Sequence, residues 1–157
     1  MNYRLYQPGD FAQLYAIEEA CFQPPLRFPR AHIRRLVTSE SAATWVAEEH
    51  EKLAGFAIVE WSQRNAEIMA YIDTIEVLEA HRKQGIGVEL LHRVEDSARG
   101  AGAGLIWLHV DKENASAIRL YESCGYEARG REEAFYPNGN TALIYAKPLM
   151  SEPAADH

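Results

Sequence analysis

The residues best suited to chemistry in this chain are Arg82-Lys83-Gln84-Gly85-Ile86-Gly87, a basic hexapeptide punctuated by glycine. It lies between a β-rich run, Ile68 to Val77, and a helix predicted from Val88 to Arg99, where Val88, Leu90, Leu91, Val94 and Ala98 fall near helical spacing. A loop of this kind that opens a helix is suited to phosphate. The first helical N–H groups have no intrahelical partner, the helix dipole favours an anion, and glycine lets a ligand approach the backbone. The expected ligand is phosphorylated, which leaves a nucleotide and coenzyme A open. The dinucleotide fold is the poorer match, because it prefers Gly-x-Gly-x-x-Gly after the first strand and an acidic residue about 20 positions on. Here the hexapeptide lies mid-chain, follows three predicted strands and lacks the third glycine. The run Gly100-Ala101-Gly102-Ala103-Gly104 precedes a strand rather than a helix, so it reads as a connection.

The elements that must position this loop can be drawn from the rest of the pattern. A short strand, Arg4 to Tyr6, ends at Pro8-Gly9, and Asp10 with Gln13 three residues on has the form of a capping box. Phe11, Leu14, Ile17 and Cys21 then follow at helical spacing. Pro24-Pro25 stops that helix, and a second begins near Pro29 with Ile33, Leu36 and Val37 turned inward. The proline-rich loop between them, Phe22 to Phe28, carries two aromatics that look exposed. Thr44 to Ala47 and Leu53 to Trp61 read as strands joined by a polar turn, and Ile68 to Val77 completes a meander. Beyond the phosphate loop come a strand, Leu105 to Val110, and a helix, Asn114 to Cys124, with Gly125 as a left-handed cap. The strands Tyr126 to Arg131 and Asn140 to Ala146 close the chain. The order β-α-α-β-β-β-α-β-α-β-β predicts an α+β, or mixed α/β, sheet with helices on both faces.

Composition narrows the setting. The chain has 157 residues, enough for one domain with a real core; that domain is expected over residues 1–150, with 151–157 a flexible tail. The net charge of −7 argues against nucleic acid, and no apolar run is long enough to span a bilayer. With Cys21 and Cys124 as the only cysteines and no signal peptide at the start, a reducing cytoplasm is expected. His32, His50, His81 and His92 form no metal-spaced set and read as surface residues, so no metal is expected.

Three blocks carry a resemblance to a known family. The first is Arg82-Lys83-Gln84-Gly85-Ile86-Gly87, and the second is Asn114-Ala115-Ser116-Ala117-Ile118-Arg119-Leu120-Tyr121-Glu122-Ser123-Cys124-Gly125-Tyr126. The third is Phe135-Tyr136-Pro137 followed by Ala142-Leu143-Ile144-Tyr145. In this order and spacing they resemble the GNAT superfamily of acetyl-CoA-dependent N-acetyltransferases, over roughly residues 3 to 149. The third block most resembles the subgroup that acetylates protein N-termini, which includes the ribosomal-protein alanine acetyltransferases. The fold so implied is a splayed, mostly antiparallel mixed sheet of about seven strands.

The resemblance also implies roles. Acetyl-CoA would be the donor. Its pyrophosphate would lie on the backbone of Arg82, Lys83, Gln84, Gly85, Ile86, Gly87 and Val88. The pantetheine arm would pair with Ile75, Glu76 and Val77, where the strand is expected to bulge and splay, and would be reached by Asn114 and Ser116. By themselves, an ordinary tight turn and a helix N-cap would also account for the loop and for Asn114. Tyr121 occupies the family's general-acid position; a phenol can protonate a leaving thiolate while staying neutral near pH 7. His109 and Tyr71 stand where some eukaryotic N-terminal acetyltransferases place a histidine and a tyrosine, so this pair is the expected proton path, with Asp73 and Glu76 as fallback bases. Phe28, Arg27 and Tyr136 would contact an acceptor peptide, Arg131 and Glu132 less directly. Peptide N-termini, protein lysines and small amines remain open as acceptors. So do a non-catalytic acyl-CoA-binding module and a structural domain in place of an enzyme, and a monomer or a homodimer.

Overall fold

The computed structural model describes residues 1–149, so the expected tail at 151–157 lies outside the described residues. Seven strands form one sheet in the order β1-β2-β3-β4-β5-β7-β6. They are β1 (Asn2–Leu5), β2 (Ala42–Glu49), β3 (Lys52–Arg64), β4 (Glu67–Val77), β5 (Leu105–Asp111), β6 (Glu127–Glu132) and β7 (Ala142–Pro148). The four α-helices among the described residues are α1 (Phe11–Cys21), α2 (Arg30–Thr38), α3 (Ile86–Gly100) and α4 (Ala115–Ser123). The predicted order holds, and the mixed sheet is the one expected.

Two apolar layers sandwich the sheet. Phe11, Leu14 and Ile17 of α1 and Ile33 and Leu36 of α2 pack on Val46, Phe56 and Ile58. On the other face Leu90, Leu91, Val94 and Ala98 of α3 pack on Ala57, Val59, Ala70, Ile72, Ile106 and Leu108. β3 is buried from Leu53 to Val59, which explains why that run is apolar throughout instead of alternating. Gly55 lies so close to β4 that a Cβ there would sit 2.6 Å from the Glu76 carbonyl oxygen.

The feature that shapes the site is a divergence of strands. β4 and β5 are parallel neighbours only at Met69 to Tyr71 against Leu105 to Trp107. Beyond Tyr71 the strands separate, while β4 stays paired with β3 as far as Val77. One edge of β4 from Ile72 onward is thus free of a strand partner. The register of β3 on β4 shifts where Val59 faces Ile72 but Ile58 faces Thr74, leaving Asp73 as the extra residue. The bulge is therefore at Asp73, not at Ile75 to Val77 as expected. It lets Tyr71, Thr74 and Glu76 share the α1/α2 face while Ile72, Ile75 and Val77 turn to the other face.

The expected capping box at Asp10 is also absent. Arg4 holds the Asp10 carboxylate at 2.8 and 2.9 Å, the Gln7 N–H donates to it at 2.8 Å, and the Gln13 side chain accepts instead from the Leu53 N–H. A bidentate charged partner from β1 outcompetes the local cap.

Candidate active site

The coenzyme side begins with the hexapeptide. Lys83 (φ 65°) and Gly85 (φ 79°) are both left-handed, and α3 starts at Ile86, two residues before the apolar pattern suggested. Gly85 is the N-cap and has no side chain to satisfy the helix start. The N–H groups of Ile86, Gly87 and Val88 are consequently the helix's free donors. Arg82 donates from Nε to the Val77 carbonyl at 3.0 Å, tying the loop to the end of β4.

A groove of about 630 Å³ joins this loop to the free end of β4 and the start of α4. Ile75, Glu76, Val77, Arg82, Lys83, Gly85, Ile86, Gly87, Val88, Asn114 and Ser116 line it; Gln84 and Tyr121, also expected on the coenzyme side, do not. Cys21, Phe22 and His81 also line it, although no motif marked them. His81 was expected as a surface residue, yet its Nδ1 is buried. Asn114 takes both of its possible parts: its Oδ1 caps α4 by accepting from the Ala117 N–H and the Ser116 hydroxyl, each at 3.2 Å, and the residue still borders the groove. Left-handed turn, free amides and open strand edge together fit a ligand with a pyrophosphate at one end and an amide-bearing arm.

At the vertex where β4 and β5 part, the Tyr71 hydroxyl lies 2.8 Å from His109 Nδ1. Trp107 stands edge-on to both rings, at 4.7 and 5.2 Å between centroids. On the far side of the imidazole, Nε2 is 2.9 Å from Glu132 Oε1, and the Phe135 ring stacks on it at 4.1 Å and 12°. The imidazole side chain is only 8% exposed, against 51% for Glu132. Burial, then the carboxyl of Asp73 and the nearby Tyr136, Glu60 and Glu132, push the Tyr71 phenol above its usual range. It therefore stays neutral near pH 7.

Tyr121 projects from α4 and is buried, with its ring edge-on to Tyr126 at 5.6 Å. Burial, with Tyr136 as a lesser cause, raises it well above an ordinary phenol, and its hydroxyl has no hydrogen-bond partner among the described residues. Tyr136 itself is pushed up to about 12 by burial and Asp111.

The fallback bases are differently placed. Burial and the adjacent Glu60 push Asp73 up, and burial and the adjacent Glu18 push Glu76 up. Raised to about 9, the Asp73 carboxyl stays protonated at neutral pH and is no base there. Arg27 spends its guanidinium on the carbonyls of Phe22 (3.0 Å) and Glu19 (3.2 Å), closing the loop after α1. Phe22 and Phe28 are half-buried rather than exposed, and Phe28 packs on His32 at 4.8 Å. Glu132 was expected as a peripheral acceptor contact, and it instead touches the imidazole.

The divergent sheet and the left-handed loop with its free amides fit an acyl-CoA-type acyltransferase. Residues 11–126 match the model of the Acetyltransferase (GNAT) family, and the chain belongs to that family, whose class chemistry is acetyl-CoA-dependent N-acetylation. It is 40% identical over 100 residues to streptothricin acetyltransferase of Streptomyces lavendulae, a match covering 61% of this chain and 52% of that protein. It is 32% identical over 104 residues to the ribosomal protein bS18-alanine N-acetyltransferase of Escherichia coli K12, covering 64% and 68% of the two chains. The chain thus spans about half of the first relative and about two thirds of the second. Arabidopsis thaliana NAA60 in complex with acetyl-CoA has the same fold, with a TM-score of 0.84, 22% identity and coverage of 94% of this chain and 98% of that one. No helix of the described residues is long and apolar enough to cross a membrane.

Proposed function

We propose that the protein moves the acetyl group of acetyl-CoA to a peptide or protein N-terminal α-amine, as one acetyltransferase domain over residues 1–150 working in the cytoplasm. The observation that carries the acceptor chemistry is the 2.8 Å contact between Tyr71 and His109 at the vertex of the sheet. An α-amine has a reference pKa near 8, against about 10.4 for lysine, so a phenol–imidazole pair suffices to strip its proton. As the amine nitrogen bonds to the acetyl carbon and the C–S bond breaks, its proton passes through Tyr71, directly or by a water, to His109. Tyr121 returns a proton to the departing sulfur. The N–H groups from Lys83 to Val88 hold the pyrophosphate, the free edge of Ile75 to Val77 aligns the arm, and Asn114 and Ser116 steady it. Phe28, Tyr136 and the loop closed by Arg27 border the acceptor.

A small-molecule amine is the second reading, favoured by the identity with streptothricin acetyltransferase. Free thiol released from acetyl-CoA, measured against peptides with open or blocked N-termini and against small diamines, separates the two. Turnover is expected with open N-termini and lost on blocking them. Turnover confined to the diamines moves the acceptor class, and no turnover with any amine despite thermal stabilisation by coenzyme A refutes the enzyme.

A further inference from the structure

Three side chains from three strands form one line of hydrogen bonds, Tyr71 Oη to His109 Nδ1 at 2.8 Å and His109 Nε2 to Glu132 Oε1 at 2.9 Å. A carboxylate offers only lone pairs, so Nε2 carries the hydrogen. Nδ1 is then a lone pair, and the Tyr71 O–H donates to it. With its hydrogen committed that way, the Tyr71 oxygen keeps its own lone pairs free for an incoming N–H or water. Swap the tautomer and the line reverses: Nδ1–H points at Tyr71, and Tyr71 has no acceptor into which to pass a proton.

We infer that Glu132 is a positioning residue for acetyl transfer, fixing the His109 tautomer and with it the direction in which the Tyr71–His109 pair moves a proton. This rests on the base role proposed above.

The backbone is built to deliver Glu132 there. β7 lies between β5 and β6, and Ile144 faces His109 on one side and Gly130 on the other. Ala128 faces Tyr145 while Gly130 faces Ile144, so Arg129 is an extra residue in β6. Without it Arg129 and Arg131 would share the His109 face; with it that face holds Gly130 and Glu132. Gly130 leaves the row beside Ile144 without a side chain in the way, and Phe135, stacked at 4.1 Å, fixes the plane of the imidazole.

The contribution is mainly geometric. Glu132 is half in solvent, where a charge pair is worth under about 1 kcal/mol. The other ionisable groups around the pair are Asp73 on β4, Glu60 on β3, Tyr136 in the β6–β7 connection, and Asp111 on β5 beside Tyr136.

Three substitutions at this exposed position grade the effect. Glu132→Gln keeps an acceptor oxygen and loses the charge: kcat stays within about threefold, and the acid limb of kcat/KM moves down by no more than about 0.7 pH units. Glu132→Ala frees the ring, and kcat falls about tenfold at unchanged KM for both substrates. Glu132→Lys sets a donor against Nε2 and selects the other tautomer, so kcat falls about a hundredfold, the scale of a lost base. The nitrogen-15 spectrum of the imidazole should show the hydrogen on Nε2 in the wild type and in Glu132→Gln. A hydrogen on Nδ1 in the wild type, or equal rates across the three variants, overturns the inference. His109→Ala separates the two layers. If it turns over normally, the base role fails and the spectrum still judges the tautomer; if it is slow while the Glu132 series is flat, only the positioning role fails.

Discussion

The two halves of the site are made of different material. The coenzyme side is backbone: free N–H groups at the head of α3, a left-handed turn at Lys83 and Gly85, and the unpaired edge of β4. The acceptor side is side chains brought from Tyr71, His109, Glu132 and Phe135, on separate strands and a loop. Backbone recognition asks a stretch of chain to hold a conformation and tolerates most residue types that can adopt it. A side-chain constellation asks for particular atoms at particular places. Of the relatives matched here, one is named for streptothricin and another for a ribosomal-protein alanine. A constant donor side and a variable acceptor side are what this division of material allows.

The largest expected effect tests where the halves meet. Tyr121 comes from the coenzyme-side helix but is proposed to act on the reacting sulfur. Tyr121→Phe should lower kcat by about a hundredfold or more, the range for a lost general acid, with the dissociation constant for coenzyme A within about threefold of wild type by calorimetry. Near-normal turnover would remove Tyr121 from the chemistry and leave it as a packing residue.

Next comes a test of the backbone half alone. Gly85 has open space around it, so only its φ of 79° excludes other residues. Gly85→Val forces a β-branched side chain into the left-handed region at about 1–2 kcal/mol. If that strain is released by reshaping the loop, coenzyme binding weakens by about five- to thirtyfold while kcat at saturating coenzyme is little changed. A fall in kcat without loss of binding would show that the loop does more than hold phosphate.

The same division explains what was legible in the sequence. The hexapeptide and the Asn114-to-Tyr126 segment are contiguous, so their residue types state both the local structure and the groove wall it forms. The order of elements followed from periodicity and turn residues for the same reason. Asp10 was misread because its partner, Arg4, reaches it from a strand paired with β2. Tyr71 and His109 were paired only through resemblance, and nothing local announces the contact of Glu132 with His109. That contact depends on one extra residue at Arg129, which decides which face of β6 looks at the imidazole. Asp73 is the corresponding case in β4. Bulges are set by the match of two strands, and neither strand alone spells them out.

At Glu76 the two materials meet in one residue, and this gives the smallest effect and the sharpest sign. It lines the coenzyme groove, and its carboxyl, in a residue only 3% exposed, accepts from the Thr74 hydroxyl at 2.7 Å and lies within hydrogen-bonding reach of Glu18 on α1. One oxygen of each carboxyl, Glu76 Oε1 and Glu18 Oε1, is buried and has no other partner, so a single proton held by Glu76 satisfies the pair. Burial first, then Glu18, raise Glu76 in the folded state above its reference of 4.5. The folded chain thus keeps a proton that the unfolded chain gives up above about pH 4.5. The stability from this group is whole below that pH and declines as pH rises toward the folded value. Glu76→Gln imitates the protonated form permanently, with its carbonyl accepting from Thr74 and its amide donating to Glu18. Its melting temperature should match wild type near pH 4.5 and exceed it at pH 8, where the proton-linked cost is removed. Coenzyme affinity should stay level, because glutamine keeps the size and shape of the side chain. A Glu76→Gln protein less stable than wild type at both pH values would mean that the carboxyl is ionised in place, and that the two halves share a charge at this residue rather than a proton.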